Sequence, residues 1–321
     1  MPMAIAVRTT GGPDVLEHTD IETPVPGSGQ LLVDVDAAGV NFIDTYHRSG
    51  LYPLDLPFIA GLEGAGTVRE AGPDVSTFRA GDRVAWAAAP GSYAEQVLVP
   101  AAVAVAVPDG VNSEAAAALL LQGLTAHYLA TSVYPVAEGD QVLVHAAAGG
   151  VGLLLTQVIR ARGGRVIATV STPEKERLAI EAGAEAVLGY DDFPERVREL
   201  TKGQGVAAVY DGVGRSTFDG SLEAVAVRGT VALYGAASGP VPPVDPQRLN
   251  SAGSIFLTRP TLVHYVAKRE ELEWRAGDIL DAVRDGALNV HIGGRYALAD
   301  AQRAHYDLEA RRTTGKLLLL P

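Results

Sequence analysis

Short apolar runs broken by turn residues fill the first third of the chain. Residues 30–37, 64–70, 82–86 and 92–99 carry β-type runs, and Pro24, Pro26, Gly27, Gly29, Gly72, Pro73, Gly81, Pro90 and Gly91 fall between them. Closely spaced strands with this punctuation predict an antiparallel, barrel-like domain. Residues 41–49 interrupt it with one or two helical turns.

Near residue 120 the rhythm becomes strand, glycine turn, helix. The pattern predicts strands at 141–147, 165–170, 186–189, 206–211 and 230–234, and helices at 151–162, 173–182, 194–200 and 221–227. Pro173 suits a first helical turn and Gly183 a helix end. A last strand at 254–257 follows the proline-rich loop 240–246. Alternation of this kind predicts an α/β fold with a doubly wound parallel sheet. Helical segments at 270–283 and 299–310 then lead to a terminal strand at 316–320, expected to return to the first domain.

The 321 residues suit two domains of roughly 150 residues each. A net charge of −12 repels polyphosphate at long range, so nucleic acid is not an expected partner. The chain has no cysteine, which removes any disulfide framework and any thiolate zinc site. Residues 1–7 run straight into Arg8, Gly11, Gly12, Pro13 and Asp14, with no basic leader and long apolar stretch. The apolar tracts 115–121 and 145–159 fall short of the ~18–20 residues that span a bilayer. The expectation is a cytoplasmic protein with no membrane partner.

The main chemical signal is Val142-Leu143-Val144-His145-Ala146-Ala147-Ala148-Gly149-Gly150-Val151-Gly152. Against G-x-G-x-x-G, Ala147 takes the first place and Gly149 and Gly152 the second and third. A bare Gly149 lets a pyrophosphate approach, the helix start offers unpaired N–H groups, and a small Gly152 permits tight helix–strand contact. Ala148, Gly149, Gly150, Val151 and Gly152 are therefore a candidate dinucleotide turn, an ordinary β–α turn being the plain alternative. The next strand ends in Thr169-Val170-Ser171-Thr172, followed by Pro173-Glu174-Lys175. No carboxylate stands there to hold a ribose 2′-hydroxyl, whereas Ser171 and Lys175 suit a 2′-phosphate, which favours NADPH over NADH. Ser171 could equally cap the helix, with Lys175 a solvated charge.

With these go Gly39-Val40-Asn41-Phe42-Ile43-Asp44-Thr45-Tyr46, Ser49-Gly50-Leu51-Tyr52-Pro53, Gly91-Ser92-Tyr93-Ala94-Glu95, Gln122-Gly123-Leu124-Thr125-Ala126, Tyr210-Asp211-Gly212-Val213-Gly214, Leu257-Thr258-Arg259-Pro260 and residues 315–321. In this order they resemble the zinc-free medium-chain dehydrogenases/reductases of the quinone oxidoreductase (zeta-crystallin-like) family. The resemblance implies a GroES-like β-rich catalytic domain from residues 1–121 and 260–321, a Rossmann domain over 122–259, a cofactor cleft between them and a homodimer. Zinc relatives look like Gly-Val-Cys and then Gly-His-Glu; here stand Gly39-Val40-Asn41 and Gly61-Leu62-Glu63, and no metal is expected.

The resemblance places Asn41, Asp44 and Tyr46 near the nicotinamide and Tyr52 on the acceptor wall. Tyr46 and Tyr52 could orient or protonate the acceptor oxygen, or simply pack at a domain edge. It gives cofactor contacts to Thr125, Tyr190, Gly212, Tyr234, Gly235, Ala236, Leu257, Thr258 and Arg259, with Tyr190 beside the adenine or in the core. Arg311 and Lys316 resemble positions that close on the adenosine phosphate, or are plain surface charges. The implied activity is hydride or single-electron transfer from NADPH to a quinone, whose electron deficiency needs little Lewis-acid help. An NADPH-dependent enone, enal or enoyl-thioester reductase is the neighbouring alternative. An NADPH-binding structural or RNA-binding protein is the alternative of another class, disfavoured by the acidic charge.

Overall fold

The computed structural model describes all 321 residues, which divide into two compact units: Met1–Leu124 with Val266–Pro321, and Thr125–Tyr265.

In the first unit a seven-stranded sheet carries the core. Its order is Ile292–Ala297, Lys316–Leu320, Gln30–Val40, Glu63–Ala71, Arg83–Trp86 and Val105–Ala106, with Gln96–Pro100 also on Gln30–Val40. The long strand Gln30–Val40 turns Leu31, Val33 and Val35 inward by simple alternation. A register shift between Val35 and Ala37 then changes the parity, so Ala38 and Val40 meet the same core. The C-terminal strand pairs antiparallel with it, Leu318 opposite Gly39. This β-rich unit is GroES-like. Its first strand, Met3–Val7, and the strand Ile292–Ala297 were not anticipated from the pattern, the latter because Gly293 and Gly294 hide its alternation.

The second unit is a six-stranded, all-parallel Rossmann sheet in the order Ala186–Leu188, Arg165–Thr169, Gln141–Val144, Val206–Asp211, Val225–Leu233 and Phe256–Thr258. The central Val142, Leu143 and Val144 are all fully buried, the mark of a strand covered on both faces. The helix expected at 221–227 instead occupies Phe218–Ala224. Val225 already belongs to the next strand, because Val225-Ala226-Val227 continues the β alternation. The helix Pro173–Ala182 starts and stops where expected, but its N-cap is Thr172: Thr172 Oγ1 accepts the Lys175 N–H at 3.3 Å. Gly183 closes it at a φ of +105°, a left-handed position.

Contrary to the expectation from tract length, one helix is long and apolar enough to cross a membrane. It is Ser113–Val133, 21 residues including a wide last turn, because Gln122 and His127 do not interrupt it. It is 78% buried inside the protein, as a core helix is.

Candidate active site

In the second unit the candidate cofactor residues gather at the carboxyl ends of the parallel strands, where open α/β sheets take their ligands. The strand expected to reach 147 stops at Val144, and residues 145–149 turn into the helix Gly150–Ala161. Ala146 takes a left-handed φ of +51°. A Cβ on Gly152 would lie 2.5 Å from the Ala146 carbonyl oxygen and 2.6 Å from Ala147 Cα, so only glycine lets helix and turn touch. A Cβ on Gly149 would meet just one atom, the Ala146 oxygen at 3.2 Å. The two glycines thus differ: Gly152 serves packing, whereas Gly149 leaves open backbone beside a helix start whose first N–H groups have no carbonyl in the helix.

Tyr190 follows the third strand of this unit, and its hydroxyl accepts the Ala146 N–H at 3.1 Å. Gly212 and Gly235 lie back to back, since a Cβ on Gly235 would come within 2.5 Å of the Gly212 oxygen and one on Gly212 would strike the Tyr234 ring. Ser171 is exposed, Lys175 half-buried, Leu257 and Thr258 half-buried, and Arg259 exposed. Thr125 and Ala148 are buried.

Beneath this edge lies a polar network that sequence patterns did not reveal. His145 is fully buried, with Nδ1 2.8 Å from Thr169 Oγ1 and Nε2 3.1 Å from Ser221 Oγ. Asp211 accepts the N–H groups of Val213 and Gly214 at 2.8 and 2.9 Å and the hydroxyls of Thr217 and Ser221. Burial holds His145 below its usual pKa, against the opposing pull of Asp211. The network ties the ends of three strands to the helix Phe218–Ala224. Its only sequence signal is a polar residue at each strand end.

In the first unit, Asn41 and Asp44 stand at the start of the helix Phe42–Ser49 and are both 3% exposed. Asp44 Oδ2 accepts the Asn41 N–H at 2.8 Å and the Tyr93 hydroxyl at 2.9 Å. The Asn41 amide donates to Glu63 Oε2 at 2.8 Å, and its Oδ1 accepts from Lys316 Nζ at 2.7 Å. Lys316 is a correction: far from a surface charge on the tail, it is 1% exposed and its ammonium is committed to Glu63 and Asn41. Arg311 is exposed on the turn after the last helix. Tyr46 and Tyr52 form an edge-to-face pair with centroids 5.2 Å apart, and Tyr52 is 38% exposed. Tyr52 N–H donates to the Tyr46 carbonyl at 3.1 Å, so the pair is set by backbone as well as by ring contact.

The positions at which zinc relatives carry ligands hold the Asn41 amide and Leu62, next to an ammonium, and no three His, Asp or Glu side chains converge anywhere in the chain. An amide and a leucine beside a protonated lysine do not make a zinc donor set.

Comparison with known proteins agrees with both units. Residues 27–109 match the family model described as alcohol dehydrogenase GroES-like domain, and residues 150–278 match the one described as zinc-binding dehydrogenase. A quinone oxidoreductase of Pseudomonas aeruginosa is 45% identical over 325 residues, covering 100% of both chains. A 2-haloacrylate reductase of a Burkholderia species is 40% identical, covering 100% of this chain and 99% of that one. A mycobacterial protein solved in complex with NADPH is 59% identical, with a TM-score of 0.97, covering 99% of this chain and 100% of that one. With relatives matched from end to end and both domain models in their order, the chain belongs to the quinone oxidoreductase family of medium-chain dehydrogenases/reductases.

Proposed function

We propose that the protein is an NADPH-dependent quinone oxidoreductase acting on a small-molecule quinone. The observation that carries this is the bare turn at Gly149, opening a helix at the carboxyl edge of a Rossmann sheet, in a chain similar throughout to a quinone oxidoreductase. Bound there, NADPH supplies the hydride. The N–H groups of Gly150, Val151 and Gly152 hold the pyrophosphate, and Ser171 and Lys175 take the 2′-phosphate. Tyr190, fixed through Ala146, flanks the adenine, and Thr125, Gly212, Tyr234, Gly235, Ala236, Leu257, Thr258, Arg259 and Arg311 are the further candidate cofactor contacts. Asn41 and Asp44 organise the helix that carries Tyr46, and Tyr46 with Tyr52 offers an aromatic, hydroxyl-bearing wall to a flat acceptor.

The test is a panel of quinones and α,β-unsaturated carbonyls, 2-haloacrylate included, followed at the NADPH absorbance. Turnover of quinones is expected. Turnover of the alkenes alone establishes the second reading, an activated-alkene reductase, which the likeness to a 2-haloacrylate reductase favours.

The protein acts as a homodimer in this proposal. The edge strand Phe256–Thr258 leaves one side unpaired, and Phe256 and Val227 near it are 65% and 70% exposed, an apolar edge that a second copy would cover. Sedimentation velocity at micromolar concentration tests it: a monomer with Phe256 intact refutes it.

A further inference from the structure

A line of buried polar side chains ends on Asp44. Arg48 Nη1 lies 3.1 Å from His305 Nδ1, and a guanidinium only donates, so that ring nitrogen accepts. Burial, with the Arg48 charge beside it, pushes His305 down to about 3; the ring is neutral and its one proton sits on Nε2. Nε2 lies 3.2 Å from the Tyr93 oxygen and donates to it, which leaves the Tyr93 proton for Asp44 Oδ2 at 2.9 Å. Oδ2 also accepts the Asn41 N–H. The other carboxyl oxygen, Oδ1, is buried with no partner. At the far end Arg48 is clamped by Glu309, with Nη1–Oε2 and Nη2–Oε1 distances of 3.1 and 2.8 Å.

We propose that Tyr93 and His305 are positioning residues for quinone reduction, acting through Asp44: their one-way line of hydrogen bonds occupies Oδ2 and leaves Oδ1 to hold the proton that accompanies the hydride. This rests on the quinone reductase reading. Quinone, NADPH and one proton give hydroquinone and NADP⁺; the cofactor's C–H bond breaks, the hydride brings both electrons, and the proton makes the second new O–H bond.

The surroundings suit a carboxyl that holds and yields a proton near neutrality. Burial raises Asp44 to about 7 against the Asn41 N–H and the Tyr93 hydroxyl, which favour the carboxylate. Lys316, from the C-terminal strand, also favours the charged form, and Glu63, from the strand Glu63–Ala71, opposes it. The helix Ala301–Glu309 contributes His305 and Glu309, and Arg48 lies on the same helix as Asp44.

The experiment is the pH profile of kcat/KM for a quinone, together with the infrared C=O stretch of a protonated carboxyl, which needs no cofactor or quinone. In the wild type an alkaline limb near neutrality is expected, with the carboxyl band disappearing over the same range. Tyr93→Phe removes a donor that favours the carboxylate, so limb and band should move together to higher pH, by about one unit. Asp44→Asn should remove both. His305→Gln keeps an acceptor for Arg48 and a donor for Tyr93 and should preserve the wild-type limb, whereas His305→Leu should move it upward; this pair serves if Tyr93→Phe does not fold. Slower turnover with an unmoved limb and band overturns the proposal alone. Absence of any quinone turnover in the wild type overturns the functional reading and the proposal with it.

Discussion

Lys316 and Glu63 form an ion pair from which water is excluded, their side chains 1% and 0% exposed. Glu63 also takes the Leu121 N–H at 2.6 Å and the Asn41 amide, so the carboxylate is satisfied on every side. Lys316→Met removes the counter-charge and leaves a buried carboxylate, with an expected loss of about 3–5 kcal/mol of stability. Urea unfolding measures it. The double variant Lys316→Met with Glu63→Gln should recover most of the loss, because neither charge then remains.

Gly149 and Gly152 should fail in different ways. Gly149→Val places its side chain in the open space beside the helix start, so the protein should fold, melt near the wild-type temperature and lose at least tenfold in NADPH affinity. Gly152→Val drives a side chain into the Ala146–Ala147 backbone and should lower the melting temperature itself. Calorimetric unfolding and NADPH titration separate the two. Equal melting temperatures would contradict this division of labour.

Lys175→Ala should weaken NADPH far more than NADH. A charge-assisted bond to a phosphate is worth about 1.5–3 kcal/mol, roughly tenfold or more in Kd, and NADH has no 2′-phosphate to lose. The Lys175 backbone N–H keeps its Thr172 cap in the variant, so the helix start survives. Fluorescence titration with both cofactors is the check; equal losses would reject the 2′-phosphate assignment.

His305 and Asp44 should give stability opposite slopes with pH. His305 falls from 6.5 unfolded to about 3 folded, so its contribution is complete above 6.5 and is lost as pH falls toward 3. Asp44 rises from 3.8 to about 7, so its contribution is complete below 3.8 and is lost as pH rises through 7. Between pH 4 and 6.5 the two slopes offset each other in the wild type, so thermal unfolding there should show stability falling as pH rises in His305→Gln and rising with pH in Asp44→Asn.

Much of the fold was legible because its signals are local. Pro173 and Gly183 bracket a helix by backbone geometry alone, and Val206–Asp211 and Lys316–Leu320 announce themselves as unbroken β-runs. The helix Ser113–Tyr128 leaves no periodic signal in the sequence, because it is apolar all round and has no polar face. The strand Val225–Leu233 runs longer than its pattern predicts, because Gly229, within it, reads as a turn. Gly149 and Gly152 were visible from spacing, yet only the Cβ contacts separate one as packing and the other as approach.

Composition and order along the chain were enough to determine the two kinds of domain, the glycine turn and the lack of thiolate ligands, since each is a matter of residue type or near-neighbour spacing. Tertiary structure alone decided what the charged and titratable groups do. Asp44 meets Tyr93 across 49 positions of sequence, Tyr93 meets His305 across 212, and Lys316 meets Glu63 across 253. Whether such a group is a solvated charge, a buried ion pair or a proton-holding carboxyl depends on desolvation and on partners brought in from distant segments, and neither is written in local sequence.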